Sequence, residues 1–596
     1  MIVMRVVTGG LRAARFFCPR PSGWGRYPGI FVLVVWAVVA TVSARAEQQE
    51  GASGFVPRPA VAGTGFMVVT ANVYATDAAV EILQLGGNAL DAAIAAQWVL
   101  NLVEPQSSGI GGGGFMLHWD AKRRLLSAWD GRETAPRAAN ANFARRADGS
   151  LAEFSELLAT GKAVGVPGLV AMLEAAHRRH GRLKWERLFR PAIRLAENGF
   201  VISPRLHLLL RDDSLLRRDA AARALYFQED GEVKPVGELL RNPEFAATLR
   251  EIATAGAGAL HGGALARRIA TAVEQRGGTL TEADMRDYRP RRRDAVCGPY
   301  RRWRICGMPP PSSGGIGVLQ LLGLLERTGS PPGDPAAADS VHLFAEAGRL
   351  TYADRARYLA DSDFVSVPQR ALLEPQYLDQ RARLIDRRRS MGIAEPGELA
   401  PRRSQADDDA PELPATTHVS IVDRAGNAVA LTSSIESAFG SRIQVGGFLL
   451  NNQLTDFSFT AERDGKPVAN RLEPGKRPLS SMAPTLVFDA GGRLHAVLGS
   501  PGGSRIINYV TRTLVALLDG RQDPAAAVSL PHVGNRNGAT EIERGRVPEA
   551  LALELERRGH MVQRIDMTSG LHVIVRVGDG WIGAVDPRRE GVARGD

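Results

Sequence analysis

The chain has 596 residues, 44% apolar and 23% charged, so it can bury a large core and is too apolar for a disordered tail. Its 64 Gly and 35 Pro follow no Gly-x-y period, which excludes a collagen-like chain. The formal charge of +10 is no nucleic-acid footprint, because six arginines lie in the first 46 residues without an acid, and removing them leaves about +4 spread along the chain.

Residues 1–46 read as a secretory signal: a basic stretch to Arg26, an apolar core over 30–42, and Ser43-Ala-Arg-Ala46, whose alanines form an A-x-A cleavage site. The core is shorter than the about 20 residues of a membrane span, which makes an uncleaved anchor the lesser reading. The mature chain is expected to be secreted, to the periplasm, with no membrane span.

A strand is expected over 65–70, then helices over 77–83 and 91–103, the first ended by Gly86-Gly87. Next comes Ser107-Ser-Gly-Ile-Gly-Gly-Gly-Gly114, feeding a strand at Phe115. With no Gly-Lys-Ser/Thr and no helix after it, this is not a phosphate loop, and its glycines suit close backbone approach. Residues 165–290 read as mostly helical. Cys297 and Cys306 flank a hairpin-like run, where a disulfide and a pair of small buried thiols are the alternatives and the thiols the plainer one. Pro309-Pro-Pro-Ser-Ser-Gly-Gly315 is a stiff turn before a helix over 317–326, and helices over 337–359 and 375–387 follow. Neither Cys nor His falls at metal-site spacing, and no metal or other cofactor is expected.

Composition breaks at 395–415, where four prolines and Asp407-Asp-Asp409 give little reason to fold, so this stretch reads as a flexible linker. Beyond it, period-two alternation over 419–423 and 428–435 flanks a short turn, and further strands at 448–450, 484–498 and 572–585 make a strand-rich final part with helices over 505–518 and 548–558. The domains are therefore the signal, 1–46; a large segment, 47–415, ending in the linker; and a small segment, 416–596.

Chemistry concentrates at Thr416-Thr-His418. A threonine hydroxyl is a weak nucleophile that a neighbouring free amine can activate, and a cut at the end of a linker would create that amine. In Gly499-Ser-Pro-Gly-Gly-Ser-Arg505 a strand runs through two glycines into a helix, which aims backbone N–H groups at developing negative charge; a plain tight turn is the alternative.

Seven blocks together make the chain resemble the gamma-glutamyltransferase (gamma-glutamyl transpeptidase) family of the N-terminal nucleophile hydrolase superfamily. They are Glu104-Pro-Gln-Ser-Ser-Gly-Ile-Gly-Gly-Gly-Gly-Phe-Met116, Asp130-Gly-Arg-Glu-Thr-Ala-Pro136, Met308-Pro-Pro-Pro-Ser-Ser-Gly-Gly315, Thr416-Thr-His418, Leu450-Asn-Asn-Gln-Leu-Thr-Asp-Phe457, Arg477-Pro-Leu-Ser-Ser-Met482 and Gly499-Ser-Pro-Gly-Gly-Ser-Arg505. The resemblance implies a four-layer αββα sandwich and a precursor that cuts itself before Thr416 into large and small subunits that stay associated. It implies that Thr416 Oγ attacks a gamma-glutamyl carbonyl, as in glutathione, and passes the acyl group to water or to an amino acid or dipeptide. Ser434 would orient the nucleophile's amine, the N–H groups of Gly502 and Gly503 would hold the oxyanion, and Thr417 would face away.

On the same resemblance, Arg132, Ser480 and Ser481 would bind the substrate's α-carboxylate, and Gln453 and Asp456 its ammonium. Two departures bear on selectivity: Glu436 stands where many members have Asn, and the segment between Asp456 and Ser480 is short and lacks the family's aromatic lid residue. A glutaryl or cephalosporin acylase-type amide hydrolase is therefore the second reading, and a fold that has lost its activity a third, which the presence of Thr416, Arg132 and the glycine pair opposes.

Overall fold

In the computed structural model, which describes residues 52–329, 334–399, 405–413 and 415–596, side-chain alternation sorts two seven-stranded sheets into a face-to-face pair. The first sheet runs Val592–Gly595, Met67–Thr70, Thr417–Val422, Ala428–Ser434, Gly113–Asp120, Leu125–Asp130 and Arg291–Arg293, with every neighbouring pair antiparallel. The second runs Val61–Gly63, Gly580–Val585, His572–Val577, Leu494–Gly499, Thr485–Phe488, Trp303–Gly307 and Val296–Tyr300, also antiparallel throughout.

Period two decides which layer each residue meets. In the first sheet, Val68, Met116, Val419, Ile421, Val429 and Leu431 pack on helices Val73–Gln84 and Ala89–Val103. Their chain neighbours Met67, Val69, Phe115, Leu117, Val422 and Ala430 face the second sheet. Helices Gly314–Arg327 and Ile506–Leu518 cover the other side of that second sheet. Helix, sheet, sheet, helix is the four-layer αββα order that the resemblance implied.

Local sequence explains the key helix. Asn88 accepts from the N–H groups of Leu90 and Asp91 while the Asp91 carboxylate accepts from Asn88 N–H, a reciprocal cap on Ala89–Val103. Its alanines let it lie wholly buried against the sheet, and Trp98 stacks on Phe189 with ring centroids 4.9 Å apart. Among the described residues no helix is long and apolar enough to cross a membrane. The signal at 1–46 lies outside the described residues, as do 400–404 and 414 of the linker. Cys297 and Cys306 sit opposite one another on adjacent strands and form a disulfide, not the pair of thiols that the sequence favoured.

Candidate active site

The two sheets are joined beneath Thr416 by a polar seam. His572 Nδ1 donates to the His418 carbonyl at 2.7 Å, Ser420 Oγ donates to the His572 carbonyl at 3.1 Å, and the His418 ring lies between Thr432 Oγ and Ser420 Oγ. Burial holds His418 far below the usual imidazole range, so it is a neutral hydrogen-bonding group. The seam needs Gly499: a Cβ there would lie 2.2 Å from the His418 ring.

Alternation along Thr417–Val422 puts Thr416 on the His418 side and Thr417 on the other, where its hydroxyl donates to Glu104 Oε2 at 3.3 Å. Thr416 Oγ lies 3.4 Å from Ser434 Oγ, at the end of the adjoining strand. Ser434 Oγ in turn accepts from Glu436 N–H at 2.9 Å, and Arg589 Nη1 donates to the Thr416 carbonyl at 3.0 Å. The hydroxyl of Thr416 is thus placed by a neighbouring hydroxyl whose own position is fixed by the backbone.

Gly503 has φ +57°, a left-handed conformation, and a Cβ there would come within 2.6 Å of the Leu413 carbonyl oxygen. Gly502, φ +137°, backs onto Tyr509, whose ring a Cβ would meet at 2.6 Å. Both glycines are therefore needed for shape, and the turn they form opens the helical run beginning at Gly503–Arg505 beside Thr416.

A cavity of about 20 Å³ at Thr416 is lined by Arg132, Ser434, Glu436, Gln453, Asp456, Ser480, Ser481 and Gly503, together with Glu412, Leu413 and Ala415 of the linker. Nine of the ten residues expected at the site thus line one cavity, and Gly502 stands directly behind it. The space is enough for about one water, because the linker fills the rest.

Arg132 is buried just after strand Leu125–Asp130, with Nη1 facing Glu133 Oε2 at 3.8 Å and its other two nitrogens hydrogen-bonded. Nε donates to the Pro478 carbonyl at 3.1 Å, and Nη2 donates to Asp456 Oδ2 at 2.5 Å and to the Leu479 carbonyl at 2.8 Å. It therefore fixes both Asp456 and the backbone leading to Ser480. Gln453 Nε2 also donates to Asp456 Oδ2, at 2.7 Å. Asp456 Oδ1 and Gln453 Oε1 remain without hydrogen-bond partners among the described residues. Burial raises the Asp456 carboxyl, against the pull of Arg132; burial, then the nearby Asp456, raises that of Glu436. Glu436 accepts from Leu413 N–H at 3.3 Å and from the Asn452 amide.

Several contributors were not legible in the sequence. Ser313, in the proline-rich turn read only as stiff, donates from both N and Oγ to the Ser480 carbonyl, at 2.7 Å each, and so staples the two-serine strand to the large segment. Arg355, inside helix Ala338–Tyr358, reaches Ser313 Oγ and Ser481 Oγ and pairs with Glu412. With Asp354 and Arg357 beside it in the chain, Arg355 carries no local signal that singles it out. Glu133, next to Arg132, is wholly buried and pushed up to about 8 by burial, and neither carboxyl oxygen has a hydrogen-bond partner among the described residues.

The acidic linker residues are also paired: Asp407 with Arg357, Asp408 with the Asn470 amide, and Asp409 with Arg463. Residues 405–413 thereby lie along the short 456–480 segment, with a parallel bridge between Ala406 and Val468. Elsewhere, His342, Glu346 and His560 come within 4.8 Å of one another. Their atoms form a hydrogen-bond chain, with His342 Nε2 donating to the Asp386 carbonyl, His560 Nε2 to His342 Nδ1, Thr540 Oγ to His560 Nδ1, and Arg349, Ser390 and Met391 N–H to Glu346.

The chain is similar to known proteins over most of its length. The Gamma-glutamyltranspeptidase family profile matches residues 75–595. A glutathione hydrolase proenzyme of Bacillus subtilis (strain 168) is 35% identical over 547 residues, covering 89% of this chain and 92% of its own length. A glutathione hydrolase proenzyme of Escherichia coli (strain K12) is 36% identical over 539 residues, covering 88% and 90%. Among solved structures, a cephalosporin acylase from Bacillus halodurans superposes with TM-score 0.80 at 26% identity, covering 90% of this chain and 97% of that one.

Proposed function

The chain belongs to the gamma-glutamyltranspeptidase family, and we propose that it is made as an exported precursor, cuts itself before Thr416 and then acts on glutathione and related gamma-glutamyl amides. It is an enzyme of the glutathione hydrolase and gamma-glutamyl transfer type, with an N-terminal threonine nucleophile. Export is supported by the signal pattern at 1–46 and by the Cys297–Cys306 disulfide, a bond favoured outside reducing compartments.

Maturation uses the hydroxyl that turnover uses. Thr416 Oγ attacks the Ala415 carbonyl and the acyl group shifts from nitrogen to oxygen, which breaks the peptide bond and frees the Thr416 amine; water then hydrolyses the ester, leaving Ala415 with a carboxylate and Thr416 with its hydroxyl. In turnover that amine takes the proton from Oγ as the hydroxyl attacks the gamma-glutamyl carbonyl, with Ser434 orienting the reacting groups. The N–H groups of Gly502 and Gly503 hold the oxyanion until the leaving amine takes a proton and departs. Water or the amine of an amino acid or peptide then takes the acyl group from Thr416.

The observation that carries the substrate class is the pair of unpartnered acceptors, Asp456 Oδ1 and Gln453 Oε1, in the cavity of Thr416. Buried acceptors without donors cost about 1–3 kcal/mol each, and an α-ammonium supplies three donors at one point. A glutaryl group has none, which disfavours the acylase reading despite the likeness to a cephalosporin acylase. The test is a denaturing gel with N-terminal sequencing, followed by kinetics on a gamma-glutamyl anilide. A small fragment starting at Thr416, and an uncut, inactive Thr416→Ala chain, are expected; spontaneous cleavage of that variant at the same bond would refute the proposal.

A further inference from the structure

A terminal amine at Thr416 works as a base only while it carries no extra proton. An α-amine ordinarily titrates at about 7.7–8.0, so at pH 7 most molecules would hold an ammonium there, unable to take the proton from Oγ. A cation fixed close by lowers that value, because it disfavours a second positive charge. Arg589 is placed to do this. Its Nη1 donates to the Thr416 carbonyl at 3.0 Å, and standard backbone dimensions then keep it within about 7 Å of the Thr416 nitrogen whatever the rotation about the Cα–C bond. That carbonyl belongs to the bond between Thr416 and Thr417, which the cut leaves whole, so the contact does not depend on the linker.

Arg589 is buried, and its stem is packed beside the turn that carries the glycine pair: a Cβ on Gly570 would come within 2.8 Å of Arg589 Cδ and 2.7 Å of Pro501 Cγ. The other charged groups around Thr416 are largely matched to one another. Across the cavity Arg132 pairs with Asp456, and Glu412 with Arg355. On the turn Arg505 pairs with Glu541, and Asp586 pairs with Arg588. Burial favours the uncharged form of Glu436 and holds His418 and His572 neutral beneath the nucleophile. Glu104, on the opposite face of the strand, accepts from Thr417. Arg589 thus meets Thr416 from the side away from these pocket carboxyls, as a permanent positive charge at a fixed position.

We infer that Arg589 is a positioning residue for the amine base: it holds the Thr416 carbonyl, and its charge keeps the neighbouring amine in the free-base form at neutral pH. This rests on the terminal-threonine reading above, and not on which amide is the substrate.

The test is the pH profile of kcat/KM on a gamma-glutamyl anilide, whose acid limb reports the base of the free enzyme, for cut wild type, Arg589→Lys and Arg589→Gln. The wild-type limb should lie below about 7 and move with temperature as an amine does. Arg589→Gln keeps a donor but no charge, and should raise the limb by about 1 pH unit or more, so that activity at pH 6 falls up to about 10-fold while the high-pH plateau changes less. Arg589→Lys keeps the charge, and its limb should stay within about 0.3 unit of wild type. A glutamine variant with a lower plateau and an unmoved limb would make Arg589 merely structural and overturn the inference. So would a wild-type limb at about 7.7 or above, even if the glutamine variant never matures. A limb indifferent to temperature would belong to a carboxyl and would overturn it too. A cut wild type active only on the glutaryl anilide would sink the gamma-glutamyl reading, and the same three profiles on that compound would still decide the role of Arg589.

Discussion

Replacing Gly503 by alanine separates two roles of the turn beside Thr416. The new Cβ stands at φ +57°, which costs about 1–2 kcal/mol for a residue with a side chain. That cost is present with or without the linker and should appear as lost stability in both uncut and cut protein. The second effect exists only in the uncut chain. The Cβ would lie 2.6 Å from the Leu413 carbonyl oxygen and 2.9 Å from that of Glu412, well inside contact distance, and both atoms are backbone. The linker must lift, which carries Ala415 away from Thr416 Oγ. Overpacking of this kind costs about 1–3 kcal/mol, and if the seated arrangement is the one that cleaves, self-cleavage slows by roughly 5- to 150-fold. The assay follows the small fragment on denaturing gels after rapid purification, alongside urea unfolding of the variant in a Thr416→Ala background. Alanine keeps the N–H of residue 503, so turnover per cut molecule should fall less than maturation does. Cleavage at the wild-type rate would show that the path of residues 412–413 over Gly503 is not the reactive one.

Arg132→Lys keeps the charge but cannot hold Asp456, Pro478 and Leu479 together, so kcat/KM for a gamma-glutamyl anilide should fall by about 30-fold or more, and an unchanged value would remove Arg132 from the site. Glu133 is a carboxyl raised from 4.5 to about 8 by burial, so the folded chain binds more protons than the unfolded one between those values and loses stability as pH rises through that window, with no further loss above it. Glu133→Gln in the uncut Thr416→Ala chain should flatten that decline, read from urea midpoints at pH 5 and pH 8; an unaltered slope contradicts the burial argument. Wild type should prefer gamma-glutamyl to glutaryl anilides, and Glu436→Asn should narrow the gap by removing a carboxylate near the ammonium position. A wild-type preference for the glutaryl compound would favour the acylase reading, and a gap untouched by the substitution would leave Glu436 without that role.

Periodicity made the local elements legible. The turn expected between 423 and 428 joins Thr417–Val422 to Ala428–Ser434, and the Ala-rich spacing places Ala89–Val103 within two residues of the helix read from it. The glycine run also behaves as expected, since a Cβ at Gly111 or Gly112 would strike the Leu449 or Ser434 carbonyl at 2.3 or 2.2 Å. Strand partners separated by hundreds of residues were beyond reach, because pairing Val61–Gly63 with Gly580–Val585 depends on the closed fold and leaves no local pattern. Arg291–Arg293 was missed for a different reason: an edge strand made only of arginines has no apolar alternation to read. The positions of Thr416, Ser434 and the glycine pair followed from motifs, whereas Arg355 and Ser313 act through side-chain reach across segments, which spacing along the chain does not record.

The sheet that carries Thr416 has consequences for the lifetime of the enzyme. Reading across it, strands from after and before residue 416 alternate at one edge and then form blocks: Val592–Gly595, then Met67–Thr70, then Thr417–Val422 and Ala428–Ser434, then Gly113–Asp120 onward. Neither product of the cut owns a complete sheet. While the chain is whole, these strands find one another within a single molecule; once it is cut, the same search becomes an encounter between two sticky, half-built partners competing with aggregation. The cut enzyme is therefore expected to refold less readily than the precursor, so that its lifetime depends more on how slowly it unfolds.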